Sequence, residues 1–226
     1  NFIMDAFHAS QGEMAIDSSK KTHLVYRHVQ LLPIGNVKEQ ILYKMEDGFS
    51  SPPEVIPFPY ATGTLLNLDG FRVSSLALGV FNDIPYAVAS GNVYSQGTVI
   101  DRQIMVSKRL STGWTQPVTL LQSKQLELGS ELEFKFDKGL QGHLLYAAYI
   151  STDPACLGMP CNREFRELVF LPSTLSVISD TSIVQYYFPP GANFFTTQLD
   201  SLSLNDQNNA LLSIVLSEDY RVIVKD

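Results

Sequence analysis

Apolar residues along this chain fall in short runs of four to eight, alternating with polar residues or continuous, and turn residues separate the runs. Examples are HLVYRHV (23–29), QILYKM (40–45), SLALGVF (75–81), YAVAS (86–90), QIMVSK (103–108), PVTLL (117–121), ELEFKF (131–136), HLLYAAYI (143–150), ELVFL (167–171), ALLSIVL (210–216) and YRVIVK (220–225). The breaks read EDG, NDIP, STG, DKG and NDQNN. Apolar positions at i, i+3, i+4 and i+7 are not sustained over a dozen residues anywhere. The pattern predicts an all-β chain.

The strands also recur in order. An alternating strand, a turn and a more continuous apolar strand appear four times, and the second strand starts near Leu24, Tyr86, Leu144 and Leu211, at intervals of about 60 residues. A third strand follows each time: QILYKM, QIMVSK, RELVFL and YRVIVK. After the first two of these stand GFSSPPEVI (48–56) and GWTQPVTLL (113–121), which both read glycine, aromatic, two polar residues, proline and an apolar run. PSTLSVIS (172–179) is a degenerate third copy. Four antiparallel strands repeated in this way predict a β-propeller, because a lone four-stranded sheet cannot bury both of its faces and stacked blades cover one another. The reading is one domain, 1–226, of four blades, roughly 12–57, 72–122, 130–184 and 198–226 plus 1–9. The stretch NFIMDAF (1–7) would supply the strand that the last blade lacks. A segment of a larger propeller and a β-sandwich are the alternatives.

The glycine-aromatic turn resembles the repeats of sialidase-like and Asp-box propellers. SKRLSTGW (107–114) holds the serine, glycine and tryptophan of that box, with Arg109 where its aspartate belongs. GFRVSS (70–75) is similar to the arginine motif near the start of sialidases but lacks the proline. The resemblance implies a propeller and, as one function, hydrolysis of glycosides or sialosides.

Charge narrows the partners. The net charge of −7 repels phosphate backbones and anionic lipid, and no Lys/Arg-rich run offsets it, so neither nucleic acid nor a membrane surface is an expected partner. No apolar stretch reaches the roughly 20 residues of a membrane span. The first residues carry no basic-then-apolar leader pattern, and an opening at Asn1 rather than Met is expected of a processed or excised form. The two cysteines, Cys156 and Cys161, stand in DPACLGMPCN, a turn-rich loop that favours a local disulfide and hence a secreted or periplasmic location. Free thiols or a metal site are the other readings of that pair.

Residues able to carry chemistry are few. His23 and His143 hold equivalent positions at the start of a second strand, which reads as a structural feature of the repeat. A glycosidase needs two carboxylates about 5–10 Å apart; Asp69, Asp101 and Glu164 are the candidates, expected in loops. Arg102, Arg163 and Arg166 are expected as loop arginines. PFPYATG (57–63) and YYFPPGAN (186–193) are aromatic-proline linkers that would lie on one face of a propeller. Trp114 reads as a wedge between blades. The binding residues inferred from these patterns are Tyr60, Arg72, Asp101, Arg102, Arg163 and Tyr187. No catalytic set, metal site or cofactor is expected. The expected function is a non-catalytic binding or scaffolding module with a protein or glycan partner, and the alternative is a glycoside hydrolase or sialidase-like enzyme.

Overall fold

A computed structural model describes residues 9–31, 36–46, 52–64, 67–124, 132–151, 162–187, 197–204, 210–216 and 219–224. The stretch 1–7, Cys156 and Cys161 lie outside the described residues. Every regular element among the described residues is a strand, and the chain divides into two compact units, Asn1–Lys124 and Gln125–Asp226.

The first unit holds two antiparallel meanders. One is β1 (Ala9–Ile16), β2 (Thr22–Leu31), β3 (Asn36–Met45) and β4 (Glu54–Ile56). The other is β6 (Asn67–Phe81), β7 (Ile84–Ser95), β8 (Thr98–Leu110), β9 (Gly113–Trp114) and β10 (Val118–Gln122). Between them β5 (Thr62–Thr64) pairs with both β3 and β6, so the sheet runs on as β1-β2-β3-β5-β6-β7-β8-β10, with β4 on β3 and β9 on β8. The repeat pattern gives no sign of β5. Thr-Gly-Thr has no apolar residue, and it becomes a strand because β4 pairs only with Ile41–Tyr43, leaving the backbone groups of Asn36–Lys38 for another partner.

The second unit holds β11 (Glu133–Phe136), β12 (Gly142–Ser151), β13 (Asn162–Leu171) and β14 (Ser176–Tyr187) as one antiparallel sheet. A further sheet contains β15 (Thr197–Leu204), β16 (Ala210–Leu216) and β17 (Asp219–Val224). Leu24, Tyr86, Leu144 and Leu211 therefore each stand in the second strand of a meander. The strands reach further than the apolar runs that predict them. Asp69 lies in β6, Asp101 and Arg102 in β8, and Arg163, Glu164 and Arg166 in β13, all within strands rather than in loops. Polar residues continue a ladder readily where their backbone groups find partners, and side-chain polarity alone does not mark its end.

In the first unit the two meanders share a core. Val25, Ile41, Tyr43, Ile56 and Phe58 pack with Phe71, Val73, Leu76, Leu78, Ala87, Ala89 and Met105. The repeated phrase finds its use at the edge of this core. Glu54, from the first copy, accepts two hydrogen bonds from the Arg109 guanidinium, at 2.9 and 2.6 Å. Trp114, from the second copy, sets its ring edge-on to Tyr43 at 5.1 Å, and Arg109 lies 5.4 Å over the same Tyr43 ring. The phrase thus ties the end of one meander to the next. Arg109, out of place in an Asp box, serves here as the partner of Glu54.

In the second unit Leu144, Leu145, Phe165, Leu168 and Phe170 are almost completely buried, and Phe134 stacks on Phe170 at 5.7 Å. A polar lock spans β12 to β14. Arg166 donates to Asp180 Oδ1 at 2.9 Å and to Glu164 Oε1 at 2.8 Å, and the Tyr146 hydroxyl donates to Asp180 at 2.8 Å. Burial first, and Asp180 second, push the Tyr146 phenol well above its usual range.

Both histidines at the repeat position form the same clasp. Asp17 accepts from the Lys21 N–H at 2.8 Å, and Asp137 accepts from the Gln141 N–H at 2.7 Å. Each aspartate also meets the histidine six residues on, Asp17 with His23 at 3.2 Å and Asp137 with His143 at 3.3 Å. Lys20 and Leu140 take the positive φ that lets the turn close, at 65° and 71°. The far side of each ring meets the third strand: His23 Nδ1 lies 2.7 Å from the Tyr43 hydroxyl and His143 Nδ1 2.8 Å from Glu167. Asp17–His23–Tyr43 has the outline of a relay, but Tyr43 is 1% exposed and the second copy replaces it with Glu167, so what the repeat keeps is the turn.

Candidate functional site: a polar row beside the bulge in the sixth strand

A β-bulge interrupts β6, where pairing with β7 shifts between Val73 and Ser75. The irregular backbone is satisfied from the first meander. Val73 N–H donates to Glu39 Oε1 at 2.8 Å, and the Gln11 amide donates to the Ser74 carbonyl at 2.6 Å. Glu39 is 3% exposed, and its other oxygen accepts from Arg27 at 2.7 Å. A carboxylate can be held this deep because a cation and a backbone N–H both compensate it.

Phe71 and Val73 face the shared core, so Arg72 between them faces the other side of the sheet. Its ladder partner is Asn92 on β7, and the partner of Asn92 on β8 is Arg102. Directly paired residues share a face. Arg72, Asn92 and Arg102 therefore form one row across three strands, about 10 Å from end to end at two strand spacings. Asn92 is 4% exposed, yet its Oδ1 has no hydrogen-bond partner among the described residues, and neither has Arg102 Nε. Both arginines are partly exposed. Arg102 Nη1 donates to the Lys124 carbonyl, and Asp101 accepts from the Arg102 N–H at 2.8 Å and from the Gln122 amide.

Close packing sets this corner. A Cβ on Gly91 would lie 2.1 Å from the Arg72 carbonyl oxygen, so only glycine lets β6 and β7 meet there. Gly70, at φ +101°, admits the Tyr60 carbonyl, which a Cβ would approach to 2.6 Å. The linker carrying Tyr60 thereby lies against β6 two residues before Arg72. The Tyr60 ring is 45% exposed, and Lys38 Nζ sits 5.8 Å from its centroid.

Of the residues singled out in the sequence, Arg72 and Arg102 share one face, with the backbone of Tyr60 beside β6, whereas Asp101 lies on the opposite face of β8 and meets Arg102 only at its backbone N–H. Arg163 and Tyr187 lie in the second unit on adjacent strands, where Arg163 pairs with Tyr186 and Asn162 with Tyr187; their side chains are outside the described residues. The three candidate carboxylates do not present a free acid–base pair among the described residues. Asp69 accepts the Gln96 N–H at 2.8 Å at the β7–β8 turn, Asp101 is engaged as above, and Glu164 is held by Arg166. Asn92, Glu39 and Gln11 were missed. The available signal for Asn92 was a lone amide inside the run YAVASGNVYS. Among the described residues, no three His, Cys, Asp or Glu side chains are placed to hold a metal ion, and no helix is long and apolar enough to cross a membrane.

No family model and no curated protein sequence matches the chain. Solved structures do. A Bacillus subtilis levansucrase variant aligns with TM-score 0.53 at 9% identity, over 96% of this chain and 63% of the enzyme. A B. megaterium levansucrase variant aligns with TM-score 0.56 at 10% identity, over 96% of this chain and 66% of the enzyme. The chain thus spans a little under two thirds of the length of each. At such identity the likeness is one of fold alone: the chain is all-β and its fold is propeller-like.

Proposed function

We propose that this chain is a non-catalytic, glycan-binding module built as a propeller, with the Arg72–Asn92–Arg102 row as its contact surface. The observation that carries the reading is Asn92, a buried amide between two arginines whose oxygen has no partner among the described residues. Leaving such a group unpaired costs about 1–3 kcal/mol, which a ligand hydroxyl would recover. Sugars offer hydroxyls at close spacing, and Tyr60, whose backbone meets β6 at Gly70, has an exposed ring that offers a face to stack on. The fold likeness to levansucrases, enzymes named for levan and sucrose, supports a glycan over a protein as partner. The committed state of Asp69, Asp101 and Glu164 supports binding over hydrolysis. Arg163 and Tyr187 would serve a corresponding surface in the second unit.

The remaining features of the reading are a single domain of four blades, closure of the ring by residues 1–7 pairing beside β17, a Cys156–Cys161 disulfide, and a secreted or periplasmic location. Closure would add a fourth strand to the last meander, which has three among the described residues. Removing residues 1–7 should lower Tm by several degrees, whereas an unchanged Tm rules closure out. The glycan reading is tested by screening the protein and an Asn92→Ala variant against an array of neutral and acidic oligosaccharides. Binding lost in the variant, with its circular dichroism unchanged, supports it. Absence of binding by the native protein, or equal binding by the variant, overturns it.

A further inference from the structure

The charge of the ligand can be read from how the arginines are matched. Five arginines have described side chains. Arg27 pairs with Glu39 at 2.7 Å, Arg109 with Glu54 at 2.6 Å, and Arg166 with Glu164 and Asp180 at 2.8 and 2.9 Å. The other two are Arg72 and Arg102, and neither forms an ion pair among the described residues. Arg102 is held by a neutral carbonyl, that of Lys124, which orients the guanidinium without cancelling its charge. Asp101 does not neutralise the row. It is paired with Val93, which places it on the opposite face of β8 from Arg102, and its oxygens accept from neutral donors. In a chain of net charge −7, two arginines without an ion pair among the described residues, both partly exposed at the end of an otherwise buried face that holds Val88, Ile104 and Val106, form a local cationic spot.

Guanidinium groups recognise planar or tetrahedral oxyanions through forked hydrogen bonds. Asn92 Oδ1 between them is an acceptor and takes a donor such as a hydroxyl. An oxyanion and a hydroxyl on neighbouring carbons meet both demands at once. Resting on the glycan reading above, we propose that the Arg72–Asn92–Arg102 row takes an acidic sugar, its carboxylate or sulfate on the two guanidiniums and an adjacent hydroxyl on Asn92 Oδ1.

Calorimetric titration of the full chain with polygalacturonate, dextran sulfate and neutral dextran tests this, with Arg72→Gln and Asn92→Asp variants alongside. The first two polymers separate a carboxylate source from a sulfate source. The expected result is binding of at least one acidic polymer, about tenfold weaker in Arg72→Gln and weakened further by raised salt, since each lost charged hydrogen bond is worth about a factor of ten. Asn92→Asp places a carboxylate between the arginines and should abolish acidic binding while the protein stays folded. Salt-insensitive binding of dextran equal to that of the acidic polymers overturns the acidic ligand and leaves the glycan reading standing. Acidic binding untouched by both variants overturns the site. No binding of any polymer, with variants and native protein equally folded, overturns this inference and counts against the glycan reading as well.

Discussion

Glu39 is the residue whose loss should be felt most in the first unit. Its two carboxylate oxygens serve different masters: one takes the Val73 N–H at 2.8 Å and the other takes Arg27 at 2.7 Å, at a site where Glu39 is 3% exposed. Glu39→Ala leaves a largely buried guanidinium without its counter-charge and a bulge N–H without an acceptor. Breaking a buried pair costs about 3–5 kcal/mol. At about 2–4 °C per kcal/mol for a chain of this size, Tm should fall by roughly 6–20 °C. Glu39→Gln keeps an acceptor for Val73 and loses only the charge, so it should recover about 1–3 kcal/mol, the cost of an orphaned buried donor. Trp114, the only tryptophan, sits against Tyr43 in this unit, so its fluorescence during urea unfolding reports on the right region. The order native, Gln, Ala is the expected outcome. Equal stability of the two variants would refute the claim that the carboxylate supports the bulge as well as Arg27.

Three further outcomes follow from the same geometry. Burial alone lowers the pKa of His143, but hydrogen bonds and charge from Glu167 and Asp137 outweigh it, and the net direction is upward. A raised folded-state value means that the clasp contributes fully below the unfolded value of about 6.5 and that this contribution is lost as pH rises through the folded value. Thermal melts at pH 6 and 8.5 should therefore show a decline in the native protein that His143→Gln flattens; parallel declines would contradict it. Gly91→Ala should cost about 1–3 kcal/mol in urea unfolding, because its Cβ would press on the Arg72 carbonyl, and a neutral effect would show that the β6–β7 contact is looser than drawn. If Cys156 and Cys161 are bonded, so short a loop stabilises by about 2 kcal/mol or less, and Ellman titration of unfolded, unreduced protein should find no thiol; two thiols would remove the bond and the argument for an oxidising compartment.

The strands were legible because their apolar runs stop at turn residues, and in two meanders a partly buried strand stands beside a more deeply buried one, β6 beside β7 and β11 beside β12, environments that write different apolar patterns. Leu24, Tyr86, Leu144 and Leu211 could be aligned on the apolar runs alone. What the pattern could not reveal depends on contacts distant in sequence. β5 exists because β3 leaves part of an edge unpaired, and the Ser74 bulge is held by Gln11 and Glu39, neither of which is marked by periodicity. The site was half legible for the same reason. Arg72 stood out through its likeness to the sialidase arginine motif, and Asp101 and Arg102 as loop charges, though all three lie within strands. Asn92 became significant only once register placed it between two arginines. The histidine clasps were visible as a repeated position, but their partners Asp17 and Asp137 emerge from the geometry of the turn.

Hydrogen–deuterium exchange in the presence of a bound oligosaccharide tests the central claim most directly, because it locates the ligand on the fold without altering a residue. Added protection is expected in peptides covering 70–75, 90–94 and 100–104, from the three strands that carry Arg72, Asn92 and Arg102, with smaller changes across 57–63 around Tyr60. Protection confined to other segments, or a saturating ligand that leaves those three unchanged, would contradict it.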